Sequence, residues 1–358
     1  MAVNFAAWGN DLYTGRRSYK VVQRRSRYFW VSGVLSVLAV LVLVLQGFNL
    51  GIDFKGGTEI IVSNTTTQSQ DVAVDAVHQV VPDDEVLVSS VGSDSVRVQT
   101  TELTSDQLKQ VTAALQKGYG VSASDISGTS VGPTWGQDVS QKAVQGLVVF
   151  LVLVAAFMAI YFRNWRMALA ALVALLHDLL ITVGLYAAIG WEVTPSTVIG
   201  FLTILGYSLY DKVVVFDKVR ENTVGVTDQL RSTYAERANL AVNQTLVRSI
   251  NTSVVALLPV AAILFVGAFL LGAGTLRDIS LALFVGIAVG TYSSIFLATP
   301  LEVALREREP AIKAHTAKVA ARREEAAESG EPVVEDAGSL QLVPGSHQGN
   351  RSQPRRKR

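Results

Sequence analysis

One acidic residue, Asp211, lies inside an apolar stretch that is long enough to cross a membrane. The stretch covers residues 194–216, and Asp211 is followed directly by Lys212. An ionisable side chain inside a membrane helix costs roughly 2.5–3.5 kcal/mol on insertion scales, so it is rare without a functional reason. The usual reasons are an ion or proton path, a substrate contact and a buried ion pair. The residues around Asp211 decide among them.

A polar stripe at the start of the next apolar stretch offers Asp211 a partner. Its members recur at helical spacing, and they are Gln244, Arg248, Asn251 and Thr252. Consecutive spans run antiparallel, and Asp211 lies six residues before Asp217 at the inner end of its span, roughly 9 Å deep. Arg248 lies about one turn inside its own span. We therefore expect the two side chains to meet, directly or through water.

This pairing allows two interpretations. A carboxylate beside a guanidinium stays ionised, and it binds a proton when the guanidinium moves away. Such an alternation would make Asp211 a proton carrier, and a unit charge that crosses the membrane potential carries about 2.3 kcal/mol per 100 mV. The alternative is a static buried ion pair that holds the helices together. We favour the proton carrier.

Four further polar residues could support this path. Tyr207 and Ser208 precede Asp211 by four and three residues, so we place them on its helix face. His177 and Asp178 lie near the middle of the preceding span, about 100° apart around the helix, so each is expected to face a different neighbour. The alternative for this second pair is a role in packing, through hydrogen bonds between helices.

The composition indicates a membrane protein. The chain has 358 residues, of which 49% are hydrophobic and only 17% are charged, whereas a soluble domain carries about 25% charge. A net charge of +1 argues against a globally basic nucleic-acid binder. The absence of cysteine excludes disulfides and thiolate sites, and the four histidines lack metal-ligand spacing. We expect no metal and no cofactor.

Six apolar stretches are long enough to span a bilayer core of about 30 Å. They cover residues 28–50, 143–162, 167–191, 194–216, 249–271 and 279–304. Basic residues concentrate in the N-terminus (1–27), in the loop 217–248 and directly after the sixth span, so we expect both termini in the cytoplasm of a multi-pass plasma-membrane protein. The first span is too long for a cleaved signal peptide and lacks an A-x-A-like site.

The regions outside the spans differ in character. Residues 51–140 are acidic and show the element order βαββαβ, which predicts a ferredoxin-like α+β extracytoplasmic domain between the first two membrane helices. This domain has no nucleophile–base pair, so we interpret it as a binding or lever domain, the alternative being a simple spacer. Beyond a short helical start, residues 305–358 are expected to form a mostly disordered cytoplasmic tail. Gly286, Gly290 and Ser294 recur every four residues and predict close helix packing.

Three motifs resemble those of the SecD–SecF family of bacterial protein-export subunits, specifically its SecF half. They are GIDFKGGT at residues 51–58, which contains Gly51, Asp53, Gly56 and Gly57; GYSLYD and VVVFDKVREN within residues 206–222; and NQTLVRSINTS at residues 243–253. The resemblance covers roughly residues 25–305. Because three separate motifs occur in the family's order, it is far more specific than a lone Gly-Gly or a lone buried aspartate.

The resemblance implies a six-span half of a resistance-nodulation-division type transporter. SecD would supply the other half, with the SecYEG channel, the SecA motor and YajC as associates and unfolded preproteins as substrates. It also implies that Asp211 and Arg248 form the proton path and that His177 and Asp178 match a family His-Asp pair. Tyr210 and Lys212 depart from the family pattern. A second cation at Lys212 would alter the pH range in which Asp211 titrates.

We therefore predict an accessory, non-enzymatic subunit of the Sec translocase that is driven by protons. One rival is an intramembrane aspartyl protease that uses Asp178 and Asp211. The Gly-x-Gly-Asp half of its signature is missing, and Arg248 beside Asp211 would oppose the shared-proton dyad that such chemistry needs. The other rival is a small-molecule efflux transporter of the same superfamily, for which six spans imply a partner chain.

Overall fold

The computed structural model describes residues 5–92, 94–270 and 274–329. The chain divides into two compact units. The large unit comprises residues 30–210 and 252–293. The terminal unit comprises the described parts of 1–29, 211–251 and 294–358. Helices α8 and α9, defined below, contribute residues to both.

Six helical stretches are long and apolar enough to cross a membrane, which confirms the predicted architecture. The helices that build them are α2 (Arg25–Gln46), α6 (Pro133–Phe162), α7 (Trp165–Ile189), α8 (Pro195–Thr223), α9 (Tyr234–Ala262) and α10 (Gly274–Ser293). Two π-helical segments, Ile263–Leu270 and Ser294–Ala298, follow α9 and α10. The sixth stretch ends in α11 (Thr299–Arg306).

A short turn joins α6 to α7 and illustrates how the sequence ends one span and starts the next. Arg163 follows α6 with a positive φ of 50°, a conformation that stops a helix. Asn164 then caps α7, because its side-chain oxygen accepts a hydrogen bond from the Arg166 backbone N–H at 2.9 Å. Two membrane helices are thereby placed side by side in opposite directions.

The domain between α2 and α6 has the predicted ferredoxin-like fold. After the short helix α3 (Ile52–Lys55), its elements are β1 (Gly57–Val62), α4 (Gln70–His78), β2 (Leu87–Val91), β3 (Ser95–Thr100), α5 (Ser105–Tyr119) and β4 (Ile126–Val131). The strands pair antiparallel in the order β2-β3-β1-β4. Val111 and Leu115 of α5 are buried against Ile60 and Val62 of β1. Apolar residues recur with the helical period in α5 and at every second position in β1, so each element has one apolar face.

Small residues let α8 and α10 approach closely within the large unit, as the sequence predicted for Gly286 and Gly290. A Cβ atom added at Gly286 would overlap the side chain of Ile204. One added at Gly290 would lie 2.9 Å from the Ser208 hydroxyl oxygen. At these two positions the backbone of α10 therefore packs directly against side chains of α8.

The terminal unit contains more ordered structure than the sequence indicated. Residues 310–329 form α12 (Pro310–Ser329), where we expected a mostly disordered tail; residues 330–358 lie outside the described part of the chain. Helix α12 is held because Arg323 forms an ion pair with Glu236 at 2.8 Å, and because the His315 ring nitrogen Nε2 lies 2.6 Å from the Gln229 carbonyl oxygen. A polar helix is only marginally stable by itself, and these tertiary contacts stabilise α12.

Two other segments that we described as termini or loops are partly helical. Within residues 1–27, Phe5–Tyr13 form α1. The predicted loop 217–248 contains the end of α8 and the start of α9, so the connection covers only residues 224–233. Hydropathy locates the edge of the membrane rather than the end of the helix, and both helices continue beyond that edge. The side-chain oxygens of Asn243 and Asn239 in α9 accept hydrogen bonds from the backbone N–H groups of Tyr19 and Val22, respectively, which holds the N-terminal segment in place.

Candidate functional site

Asp211 is buried in the terminal unit and is hydrogen-bonded by a serine. Its side chain belongs to α8, and the residue is 5% exposed. The Ser249 hydroxyl of α9 donates to Asp211 Oδ1 at 2.8 Å. Oδ2 has no hydrogen-bond partner among the described residues. One carboxylate oxygen is thus held in position while the other is available for a proton.

The prediction places Arg248 beside Asp211, whereas the residue of α9 that contacts Asp211 in the structure is Ser249. Among the ion pairs of the described residues in the terminal unit, none joins these two side chains, and Arg248 is exposed on the protein surface. Arg248 immediately precedes Ser249, so the two side chains point about 100° apart around α9. Because Ser249 faces Asp211, Arg248 points elsewhere. The pairing of Asp211 with Arg248 stays a prediction.

A second buried aspartate, Asp178, forms its own polar group in the large unit. Its carboxylate accepts a hydrogen bond of 2.5 Å from the Ser208 hydroxyl, and both residues are almost fully buried. We expected Ser208 to lie on the face of Asp211. Three residues correspond to about 300° of rotation, which leaves Ser208 roughly 60° away from Asp211 and turned toward α7.

His177 also departs from its expected position. We placed His177 and Asp178 against different neighbours, yet the ring nitrogen Nδ1 lies 3.4 Å from Asp178 Oδ1. The histidine side chain is long enough for its ring to reach the side chain of the next residue, even though the two Cβ atoms point in different directions. The other ring nitrogen, Nε2, is buried with no hydrogen-bond partner among the described residues.

The two departures from the family pattern lie in opposite environments. Tyr210 is 54% exposed, whereas Lys212 is fully buried. Burying an ammonium group is costly unless polar or charged groups compensate it. Lys212 therefore belongs to the interior of the protein and not to its surface. Tyr207, the other proposed supporting residue, is partly buried.

The GIDFKGGT motif brings the outer domain close to the ends of the membrane helices. A Cβ atom on Gly51 would lie 2.7 Å from the carboxylate of Glu192, in the turn between α7 and α8. Gly56 and Gly57 have φ angles of 80° and 138°, which favour glycine. Asp53 is partly buried, and this burial together with the nearby Glu59 raises the pKa of its carboxyl, although Arg97 opposes the change.

Glu192 connects the same turn to the outer sheet, a contact that sequence reasoning missed. Arg97 Nη1 lies 3.1 Å from Glu192 Oε2, and the Gln99 amide donates to Glu192 Oε1 at 2.7 Å. Both partners belong to β3. Ser249 was missed in the same way, although it lies in the motif beside Arg248. No set of three potential metal ligands occurs among the residues that the structure describes.

Fold and site together define a polytopic membrane protein with a ferredoxin-like domain between its first two spans and buried aspartates in its third and fourth spans. The family model described as "Protein export membrane protein SecD/SecF, C-terminal" matches residues 110–308, and the SecD/SecF GG motif matches residues 41–63. The chain belongs to the SecD/SecF family of protein-export membrane proteins.

Individual relatives agree with this assignment. The chain is 49% identical to protein translocase subunit SecF of Streptomyces coelicolor, over 90% of this chain and 86% of that protein. It is 46% identical to SecF of Mycobacterium tuberculosis, over 92% and 75%. The crystal structure of SecDF from Thermus thermophilus, described as a translocon-associated membrane protein, matches with a TM-score of 0.71 at 31% identity. That match covers 82% of this chain and 39% of the SecDF chain.

Proposed function

We propose that this chain is an accessory subunit of the Sec protein translocase, which acts with SecD and uses the proton motive force to promote preprotein translocation and release on the outer face of the membrane. Its membership of the family and the names of its relatives support the accessory role. The observation that carries the proton-driven part is the buried carboxyl of Asp211, which has one oxygen bound by Ser249 and one without a partner.

In this mechanism Asp211 alternates between an ionised and a protonated form. The hydroxyl of Ser249 donates to the ionised carboxylate and holds its orientation. Movement of Arg248 toward Asp211 would favour the ionised form, and movement away would favour proton uptake at Oδ2. Asp178 and Ser208, with His177 beside them, form a supporting polar group in the large unit. Tyr207 and Lys212 would contribute a polar group and a positive charge to the surroundings of Asp211.

SecD would provide the second half of the transporter. This protein matches 39% of the Thermus SecDF chain, which supports a partner that corresponds to the remaining part of that transporter. The SecYEG channel, SecA and YajC would be further associates, unfolded preproteins the substrates, and membrane lipid the surroundings. The basic loops favour cytoplasmic termini in the plasma membrane. We expect no specific nucleic-acid partner.

The two rival functions receive less support. A protease would need Asp178 and Asp211 to share one proton as a dyad. Instead, each carboxylate accepts a hydrogen bond from a different serine, Ser208 for Asp178 and Ser249 for Asp211. The relatives of the chain are named as translocase subunits rather than as proteases or efflux pumps.

The decisive experiment replaces Asp211 by Asn and measures preprotein export into inverted membrane vesicles with and without a proton gradient. The variant keeps the shape of the side chain but cannot exchange a proton, so we expect it to lose the gradient-dependent part of export. Asp217→Asn is the matched control, because Asp217 lies in the same helix but is exposed. If Asp211→Asn assembles normally and keeps full gradient-dependent export, the assignment is wrong.

A further inference from the structure

Glu302 in α11 is another buried carboxyl, and the proton path described above does not use it. The residue is 0% exposed, as is Thr299 one turn earlier. Glu302 Oε1 accepts a hydrogen bond from the Tyr234 hydroxyl of α9 at 2.6 Å. Glu302 Oε2 and Thr299 Oγ1 have no hydrogen-bond partner within the described part of the chain. Both residues are fully buried and lie within one turn of α11, so the two unsatisfied oxygens lie on the buried side of this helix.

The nearest cation compensates Glu302 poorly. Arg306 Nε lies 3.8 Å from Glu302 Oε1, whereas Arg306 Nη1 lies only 2.6 Å from Glu309 Oε1. One guanidinium therefore serves two carboxyl groups, and the closer contact goes to Glu309. Of the ion pairs found in the described residues, only the one with Arg306 involves Glu302. An ionised Glu302 would be a buried charge with a distant partner, which is costly.

We propose that Glu302 is a second proton-binding group of this protein, separate from Asp211 and able to exchange a proton around neutral pH. The tyrosine that holds it belongs to α9, so the bond joins α9 to α11. An ionised carboxylate accepts a stronger, charge-assisted bond than a neutral acid does. Gain or loss of the proton therefore changes how firmly the two helices are joined. The proposal does not depend on the role of Asp211.

Infrared spectroscopy of the full-length chain in lipid nanodiscs tests the proposal directly. A protonated carboxyl has a carbonyl stretching band that a carboxylate lacks. At neutral pH we expect Glu302→Gln, which has nearly the same shape, to remove part of this band. We expect Asp211→Asn to keep the Glu302 contribution, so a failure here is separable from a failure of the proposed transport function. Equal band intensity in the wild type and Glu302→Gln would overturn the proposal.

Two substitutions around Glu302 should shift its titration in opposite directions. Tyr234→Phe removes the hydroxyl that donates to the carboxylate, so the pH at which the band disappears should rise, by an amount on the order of one pH unit. Glu309→Gln removes the competitor for Arg306, which is then available to Glu302, so that pH should fall. A group that only packs would not produce opposite shifts. Unchanged midpoints in both variants would contradict the proposal.

Discussion

At the scale of single residues, the hydrogen bond between Ser249 and Asp211 is the contact on which the proposed proton exchange depends. It holds one carboxylate oxygen, whereas the other is buried and has no hydrogen-bond partner among the described residues. Arg248 would approach Asp211 only in another conformation, whereas Ser249 already contacts it in this one.

Replacing Ser249 by Ala should lower gradient-dependent export by about tenfold, because a hydrogen bond to a charged group contributes roughly 1.5–3 kcal/mol. The measurement is the same vesicle export assay, at equal amounts of assembled protein. Ser253→Ala is the matched control, since its hydroxyl lies one turn further along α9 and contacts Thr291 at 2.6 Å rather than an aspartate. Equal losses in both variants would show that the serine acts only through packing.

At the scale of secondary-structure elements, contacts between the helices depend on positions that carry almost no side chain. Gly286→Ala should lower the melting temperature of the protein in detergent, because its Cβ would overlap Ile204 and overpacking costs about 1–3 kcal/mol. Gly206→Ala is the control, since a Cβ there meets nothing within 4 Å. Similar melting temperatures for the two variants would contradict the close approach of α8 and α10.

The contact between β3 and the α7–α8 turn should also be measurable. Arg97→Glu and Glu192→Arg should each destabilise the protein, and the double reversal should restore part of the loss. We expect a coupling free energy of about 1 kcal/mol in a double-mutant cycle followed by chemical denaturation. The exposed pair Lys109–Asp106 provides the comparison and should show almost no coupling. If the effects of the two substitutions on the free energy of unfolding were strictly additive, they would argue against an interaction between Arg97 and Glu192.

At the scale of the whole molecule, we propose that the protein forms one half of a larger transporter. We expect the tagged chain, when it is isolated from native membranes in mild detergent, to copurify with SecD in comparable amounts. Quantitative mass spectrometry measures the ratio. Recovery of the chain alone, or as a homo-oligomer, would favour the efflux interpretation over an export subunit. The prediction follows from the 39% of the Thermus SecDF chain that this protein matches.

Much of the architecture follows from the sequence alone. The six spans and the βαββαβ element order of the domain between the first two were predicted correctly, because hydropathy and apolar periodicity are properties of consecutive residues. The same local signals identified Asp211 as a buried charge, since an aspartate inside an apolar span is visible without any structure. The close packing at Gly286 was visible as a spacing of small residues.

The tertiary structure decided which groups meet. Asp211 contacts Ser249 rather than Arg248, Ser208 contacts Asp178, and Glu302 contacts Tyr234. It also decided that α12 is ordered, through the bond between Arg323 and Glu236. The physical reason is that a hydrogen-bond partner depends on how each helix is rotated about its axis. A rotation of about 100° exchanges one residue for the next, and only packing against the neighbouring helices determines it.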